Sequence, residues 1–302
     1  MELIELQHKI EELKKSLNAV IVAHNYQRPE VQDIADFVGD SLELARKCTQ
    51  IDAEVIVFCG VQFMAESAAI LNPERTVLLS EKEAGCPMAD MIDEETLKEW
   101  CGRYPDAAVV CYVNSSAAVK AGSDICCTSA NGIAVVNSLP NDEILFIPDQ
   151  HLGHYISTKT DKRMILYPGF CITHQRLNPR HVDLARERYP DGVVLVHPEC
   201  KAEVIAKADA ALSTSQMLRY AKESNARTFL IGTEEGIIHR MRRENPDKTF
   251  HLLSTGLFCS NMKLTTLESV VKTMDEQRNV VTVPEEVRVK AKLALDRMLE
   301  VT

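Results

Sequence analysis

An internal repeat constrains this chain more than any other feature. Arg-Tyr-Pro-Asp occurs at 103–106 and again at 188–191, 85 residues apart, and each copy leads into an apolar run, AAVVCYV or GVVLVHP. A third run of this kind, AVIVAHNY, follows an N-terminal helical pattern. Placing the three runs in register aligns His24, Tyr112 and His197. Two residues on come Tyr26, Asn114 and Glu199, and seventeen on come Ser41, Ser129 and Thr214, with no gap in any copy. At 62, 59 and 62 residues from the first position stand Cys86, Cys171 and Cys259. Self-similarity at a fixed period sets architecture before any local reading does.

Each copy has the same grammar. A β-branched run ends at the first polar residue, and a helix-like segment follows. A short run (DFVGDS, SDICCTS, DAALST) then ends at the hydroxyl, where a second helix is expected to start. A third run and helix come next, and a last run precedes the cysteine. Short apolar runs alternating with helices indicate βαβ units and parallel sheets. The predicted fold class is α/β: three homologous α/β/α layer domains with short parallel sheets around a pseudo-threefold axis. The expected units are 1–86, 87–171 and 172–283, with a helix at 284–302 packed on the first and carrying Pro284 in its first turn. Length alone, 302 residues at ~150 per domain, would suggest two domains.

Composition narrows the function classes. The formal charge is −10, and no basic block is present, which disfavours general nucleic-acid binding. No apolar run approaches the ~18 residues of a membrane span. The N-terminal stretch is amphipathic rather than a basic segment followed by an apolar one, so a cytoplasmic location is expected. There are ten cysteines and no Cys-x-x-Cys pair. Most are expected to be small buried hydrophobes in a reducing compartment; this reading covers Cys48, Cys59, Cys101, Cys111, Cys126 and Cys127. Cys200, beside Glu199, is a weaker candidate for the site.

Parallel α/β sheets bind ligands beyond the carboxyl ends of their strands, where the repeated polar residues fall. Ser41, Ser129 and Thr214 are expected at or near helix N-caps, where a hydroxyl satisfies backbone N–H groups and anions are favoured. An isolated residue of this kind is usually a simple cap. Three in register beside strand-end polar groups give an acidic chain local donors for an anionic substrate. His24 and His197 could each be a packed neutral core histidine, and Tyr26 and Tyr112 packed rings. Glu199 is a natural general base if burial raises its pKa. Three cysteines from three units suit a metal centre with an open position. Cys₃ zinc plus water and a three-thiolate [4Fe–4S] cluster both remain open on spacing alone. A metal-dependent lyase or hydrolase and a non-enzymatic iron–sulfur sensor are the corresponding alternatives.

The stretches VAHNYQ (22–27), GDSLELA (39–45), CGVQFMAE (59–66), AGCPMADM (84–91), CYVNSSAAVKAGSDICCTSAN (111–131), PDQHLG (148–153), GFCITH (169–174), VHPEC (196–200) and STSQM (213–217) resemble the quinolinate synthases of de novo NAD biosynthesis. The resemblance runs from about residue 20 to 268. It implies three α/β domains around a pseudo-threefold axis. It also implies condensation of iminoaspartate with dihydroxyacetone phosphate to quinolinate, with loss of phosphate and water. The implied cofactor is a [4Fe–4S] cluster on Cys86, Cys171 and Cys259, whose fourth iron acts as a Lewis acid. By the same match, His24 and Ser41 hold carboxylates, Tyr26 shuttles a proton, and Tyr112, Asn114 and Ser129 position substrate. His174 belongs to the motif around Cys171, His197 and Thr214 bind substrate oxygens, and Glu199 is the base. Implied partners are L-aspartate oxidase or aspartate dehydrogenase as supplier of iminoaspartate, and the iron–sulfur assembly machinery; nucleic acid and membrane are not implied. The chain departs from the family pattern at Leu212, where glycine is common before the Ser-Thr pair.

Overall fold

The computed structural model describes residues 3–301, so Met1, Glu2 and Thr302 of the expected terminal segments lie outside the described residues. The first unit runs α1 (Leu3–Ser16), β1 (Ala19–His24), α2 (Pro29–Ile34), β2 (Phe37–Gly39), α3 (Ser41–Cys48), β3 (Val55–Cys59), α4 (Gln62–Leu71) and β4 (Thr76–Leu79). The second runs α5 (Glu94–Arg103), β5 (Ala108–Tyr112), α6 (Ala117–Ala121), β6 (Ile125–Cys127), α7 (Gly132–Ser138), β7 (Glu143–Ile147), α8 (Gln150–Ser157) and β8 (Arg163–Leu166). A short helix, α9 (Ile172–Gln175), then leads to α10 (Pro179–Arg188), β9 (Val193–Val196), α11 (Ala202–Ile205), β10 (Ala210–Ala211), α12 (Thr214–Glu223), β11 (Thr228–Gly232), α13 (Ile237–Glu244) and β12 (Thr249–Leu252). Two helices close the chain, α14 (Leu267–Asp275) and α15 (Glu285–Glu300).

All three sheets have four parallel strands in the same order: β2-β1-β3-β4, β6-β5-β7-β8 and β10-β9-β11-β12. The fold class predicted from the repeat is therefore the one observed. Their central strands are unbroken apolar runs because helices cover both faces; every residue of β3 and of β5 is buried. Val57, Val110 and Leu195 sit fully buried in the central strands of their units.

The helix that follows each cysteine packs onto the next unit. Thus α5 meets α6, and α10 meets α11. The last of the series, α14, packs on α1, β3 and β4 of the first unit, and Leu78 forms an antiparallel bridge with Val280 at that sheet's edge. The series thus closes into a ring. The terminal helix differs from expectation. Its contacts run mainly over α6 and β6 of the second unit, with α4 of the first alongside, because Ala291, Ala294, Leu295 and Met298 form an apolar stripe buried in the core shared by those two units. Pro284 stands at its N-cap, one position before the first turn.

Candidate active site

The repeated positions converge on one cavity of about 200 Å³. It is lined by the strand-end groups His24, Tyr112 and His197, by Tyr26, Asn114 and Glu199, by Ser41, Ser129 and Thr214, and by Cys86, Cys171 and Cys259. His174 lines it as well. Cys200 does not; it is fully buried and faces the Gly232 carbonyl, while Cys126 and Cys127 are fully buried in β6. All ten cysteines are free.

The helix starts sharpen one expectation, that the repeated hydroxyls lie at or near N-caps. The caps are Asp40, Asn131 and Ser213, not the repeated hydroxyls. Asp40 accepts the Leu42 and Glu43 N–H groups, and the Glu43 side chain accepts the Asp40 N–H in return. Ser213 and Gln216 make the same exchange. Ser41 and Thr214 are consequently the first residues inside their helices, and their hydroxyls are free to face the cavity. Ser129 lies within a turn in which Asn131 Oδ1 accepts from the Thr128 N–H and hydroxyl, and this delays α7 to Gly132. Leu212 does not displace Thr214. Its N–H donates to the Val196 carbonyl as an extension of β10, a backbone role glycine is not needed for.

The two strand-end histidines share one local device. His24 Nδ1 accepts the Tyr26 N–H at 3.1 Å, and His197 Nδ1 accepts the Glu199 N–H at 3.3 Å. Burial pushes both down to about 3, so both rings are neutral. With Nδ1 occupied as an acceptor, the proton sits on Nε2, and each ring is a fixed donor. His197 Nε2 meets Ser129 Oγ at 3.1 Å. The 3.7 Å separation of His197 Nδ1 from Glu199 Oε2 is therefore no ion pair.

Glu199 is held differently from the expectation. Burial alone would raise its pKa, but the hydrogen bonds from His174 and Tyr112 outweigh it and hold the carboxyl below the usual carboxylate range. Tyr112 donates to Oε1 at 2.5 Å, and His174 Nδ1 lies 2.6 Å from Oε2. Tyr112 and Tyr26 are pushed well above the usual phenol range by burial and then by Glu199, so both stay protonated.

Thr233, which the register does not mark, completes a chain. Its hydroxyl lies 2.5 Å from the Tyr26 hydroxyl and 2.9 Å from His174 Nε2. Tyr26, Thr233, His174 and Glu199 thus form a continuous hydrogen-bonded line. Asp40, Glu234 and Arg176 also line the cavity without having been read from the sequence, and Arg176 contributes the only lysine or arginine side chain among the described lining residues. Asn114 Oδ1 is buried without a partner and belongs to a residue lining the same space.

Among the described residues, Cys171, His174 and Glu199 form a group whose ligating atoms lie within 4.8 Å of one another, a possible metal site. Cys86 and Cys259 are half-buried and line the same cavity. Burial pushes Cys86 up to about 12 and raises Cys171 and Cys259. Soft thiols held in such a setting are deprotonated by a metal rather than by water.

A family model described as Quinolinate synthetase A protein matches residues 8–300. The chain belongs to that family. Its relatives include a quinolinate synthase of Dehalococcoides mccartyi (strain CBDB1), 55% identical over 98% of each chain. One from Alkaliphilus metalliredigens is 54% identical over 97% of each. Quinolinate synthase 1 of Methanosarcina acetivorans is 52% identical over 100% of this chain and 99% of its own. Membership in the quinolinate synthetase A family agrees with the resemblance read from the motifs. No helix among the described residues is long and apolar enough to cross a membrane.

Proposed function

We propose that this chain condenses iminoaspartate with dihydroxyacetone phosphate to quinolinate, releasing phosphate and water, as a step of NAD biosynthesis. The observation that carries the reading is the convergence of all thirteen sequence-derived residues on one cavity. We further propose the three repeat units 1–86, 87–171 and 172–283 as its domains, and a cytoplasmic setting. In that setting L-aspartate oxidase or aspartate dehydrogenase supplies the imine, and an iron–sulfur assembly system loads the site.

The donor set fits a [4Fe–4S] cluster: three free thiols, one from each unit, line one cavity. Cys86, Cys171 and Cys259 would hold it. When bound, it supplies a Lewis acid at its iron without a cysteine. A single ion on Cys171, His174 and Glu199 is the second reading, favoured by their close approach. It conflicts with the bonds that already engage both ring nitrogens of His174.

The remaining chemistry falls to this chain's own side chains. His24 and His197 each offer an Nε2–H to a substrate oxygen. Ser41 and Thr214 offer hydroxyls to carboxylate or phosphate, and Asn114 Oδ1 accepts an N–H from the imine. Tyr26 touches the substrate. It takes a proton at its oxygen while its own moves through Thr233 to His174 Nε2, the ionised Glu199 carboxylate steadying the charged ring, and the reverse flow protonates a departing hydroxyl. Tyr112 steadies Glu199. Anaerobic protein given iminoaspartate and dihydroxyacetone phosphate is expected to form quinolinate. Failure to form it with metal in place would overturn the reading.

A further inference from the structure

The three cysteine loops are anchored alike in one respect and unlike in another. The first residue of α4, the first of α8 and Glu235, just before α13, each donate a backbone N–H to the carbonyl two residues before the unit's cysteine. The pairs are Gln62 to Ala84 at 2.8 Å, Gln150 to Gly169 at 2.9 Å and Glu235 to Leu257 at 2.9 Å. The residue before each donor is Val61, Asp149 or Glu234. Both acids are fully buried. Asp149 Oδ2 accepts the backbone N–H of Cys171 at 3.1 Å, and Glu234 Oε1 accepts that of Cys259 at 3.1 Å. Val61 has no such group to offer Cys86.

The acids are also tied to the rest of the site. Asp149 Oδ1 caps α8 through His151 and Leu152. Glu234 Oε2 accepts from the Gly236 N–H, and the carboxylate pairs with buried Lys263 at 2.9 Å. Lys263 Nζ donates in turn to the Tyr26 carbonyl at 2.5 Å. One buried ion pair therefore ties the loop of Cys259 to the loop of Tyr26, across two units.

We propose that Asp149 and Glu234 are positioning residues for the cluster that the proposed function assigns to the three cysteines. Each fixes the direction of one cysteine by holding its backbone N–H, and Glu234 with Lys263 sets that cysteine against Tyr26. The inference rests on the cluster reading. A buried hydrogen bond to a backbone N–H is strong enough for its loss to be felt, because the donor is then left unpaired out of water. In Asp149→Asn, Oδ1 can keep capping α8 while an NH₂ meets the Cys171 N–H, donor against donor. Glu234→Asp keeps the charge for Lys263 but withdraws the carboxylate by one methylene.

Wild type, Asp149→Asn and Glu234→Asp are loaded with iron and sulfide anaerobically. The readouts are iron per chain, the electron paramagnetic resonance spectrum after reduction, and the decay of visible absorbance under excess chelator. Both variants are expected to lose the cluster roughly tenfold faster than wild type and to show altered line shapes. Folding is checked separately by circular dichroism of the metal-free chains. If one variant fails to fold, the other carries the test. Wild-type decay and spectra in a folded variant would overturn the inference. A wild type that binds no iron would instead overturn the cluster reading beneath it.

Discussion

At the scale of single residues, His24 and His197 act through their surroundings rather than their sequence neighbours. Each has an ordinary value of 6.5 and a folded value of about 3. Between these values the unfolded chain binds more protons, so stability is fully present above 6.5 and falls as pH drops. The loss is about 1.4 kcal/mol per histidine at pH 5.5. Thermal melts of the metal-free chain should show Tm falling from pH 7 to 5, and His24→Gln should flatten the fall; an unchanged slope would contradict the assignment. Glu199→Gln should retain bound metal while lowering kcat by at least about 100-fold, because a neutral amide cannot stabilise the proton relayed to His174. Steady-state rates beside iron analysis check this, and near-normal turnover would place the base elsewhere. The repeat register made twelve site residues legible, and the resemblance added His174. The register could not reveal Thr233, whose counterparts are Gly60 and Pro148, nor the state of Glu199, which depends on Tyr112 from the second unit and on His174 of its own.

Elements place these groups. The sequence grammar of each unit predicted the strands and their parallel pairing, because buried strands must be apolar throughout. It placed Ser41 and Thr214 at or near the caps without choosing; Asp40 and Ser213 take the cap itself through paired side chains at Glu43 and Gln216. The approach of α13 to the Tyr26 loop is tighter than any pattern could show. A Cβ on Gly236 would lie 2.7 Å from the Tyr26 carbonyl carbon and 2.8 Å from its Cα. Gly236→Ala should therefore push Tyr26 off its line with Thr233 and cost on the order of 1–3 kcal/mol of stability. Denaturant melts and turnover together test this, and a variant normal in both would refute the close packing. In contrast, replacing Cys126 and Cys127 of β6 by alanine should leave iron content unchanged, since neither lines the cavity.

The whole molecule is a ring of three similar layers, each lending its strand ends to a shared centre. Its three sheets share one centre, and α14 closes the ring on the first sheet. The attachment of α15 was not legible, because an apolar stripe states that a helix is buried but not by what. The central claim is that three thiols from three units hold the metal on which turnover depends. Anaerobic wild type and Cys171→Ala, compared for iron content and for quinolinate formed from iminoaspartate and dihydroxyacetone phosphate, test it most directly. The account predicts about four irons and turnover in the wild type, with both lost in the variant. Quinolinate formed by an iron-free Cys171→Ala chain would contradict it.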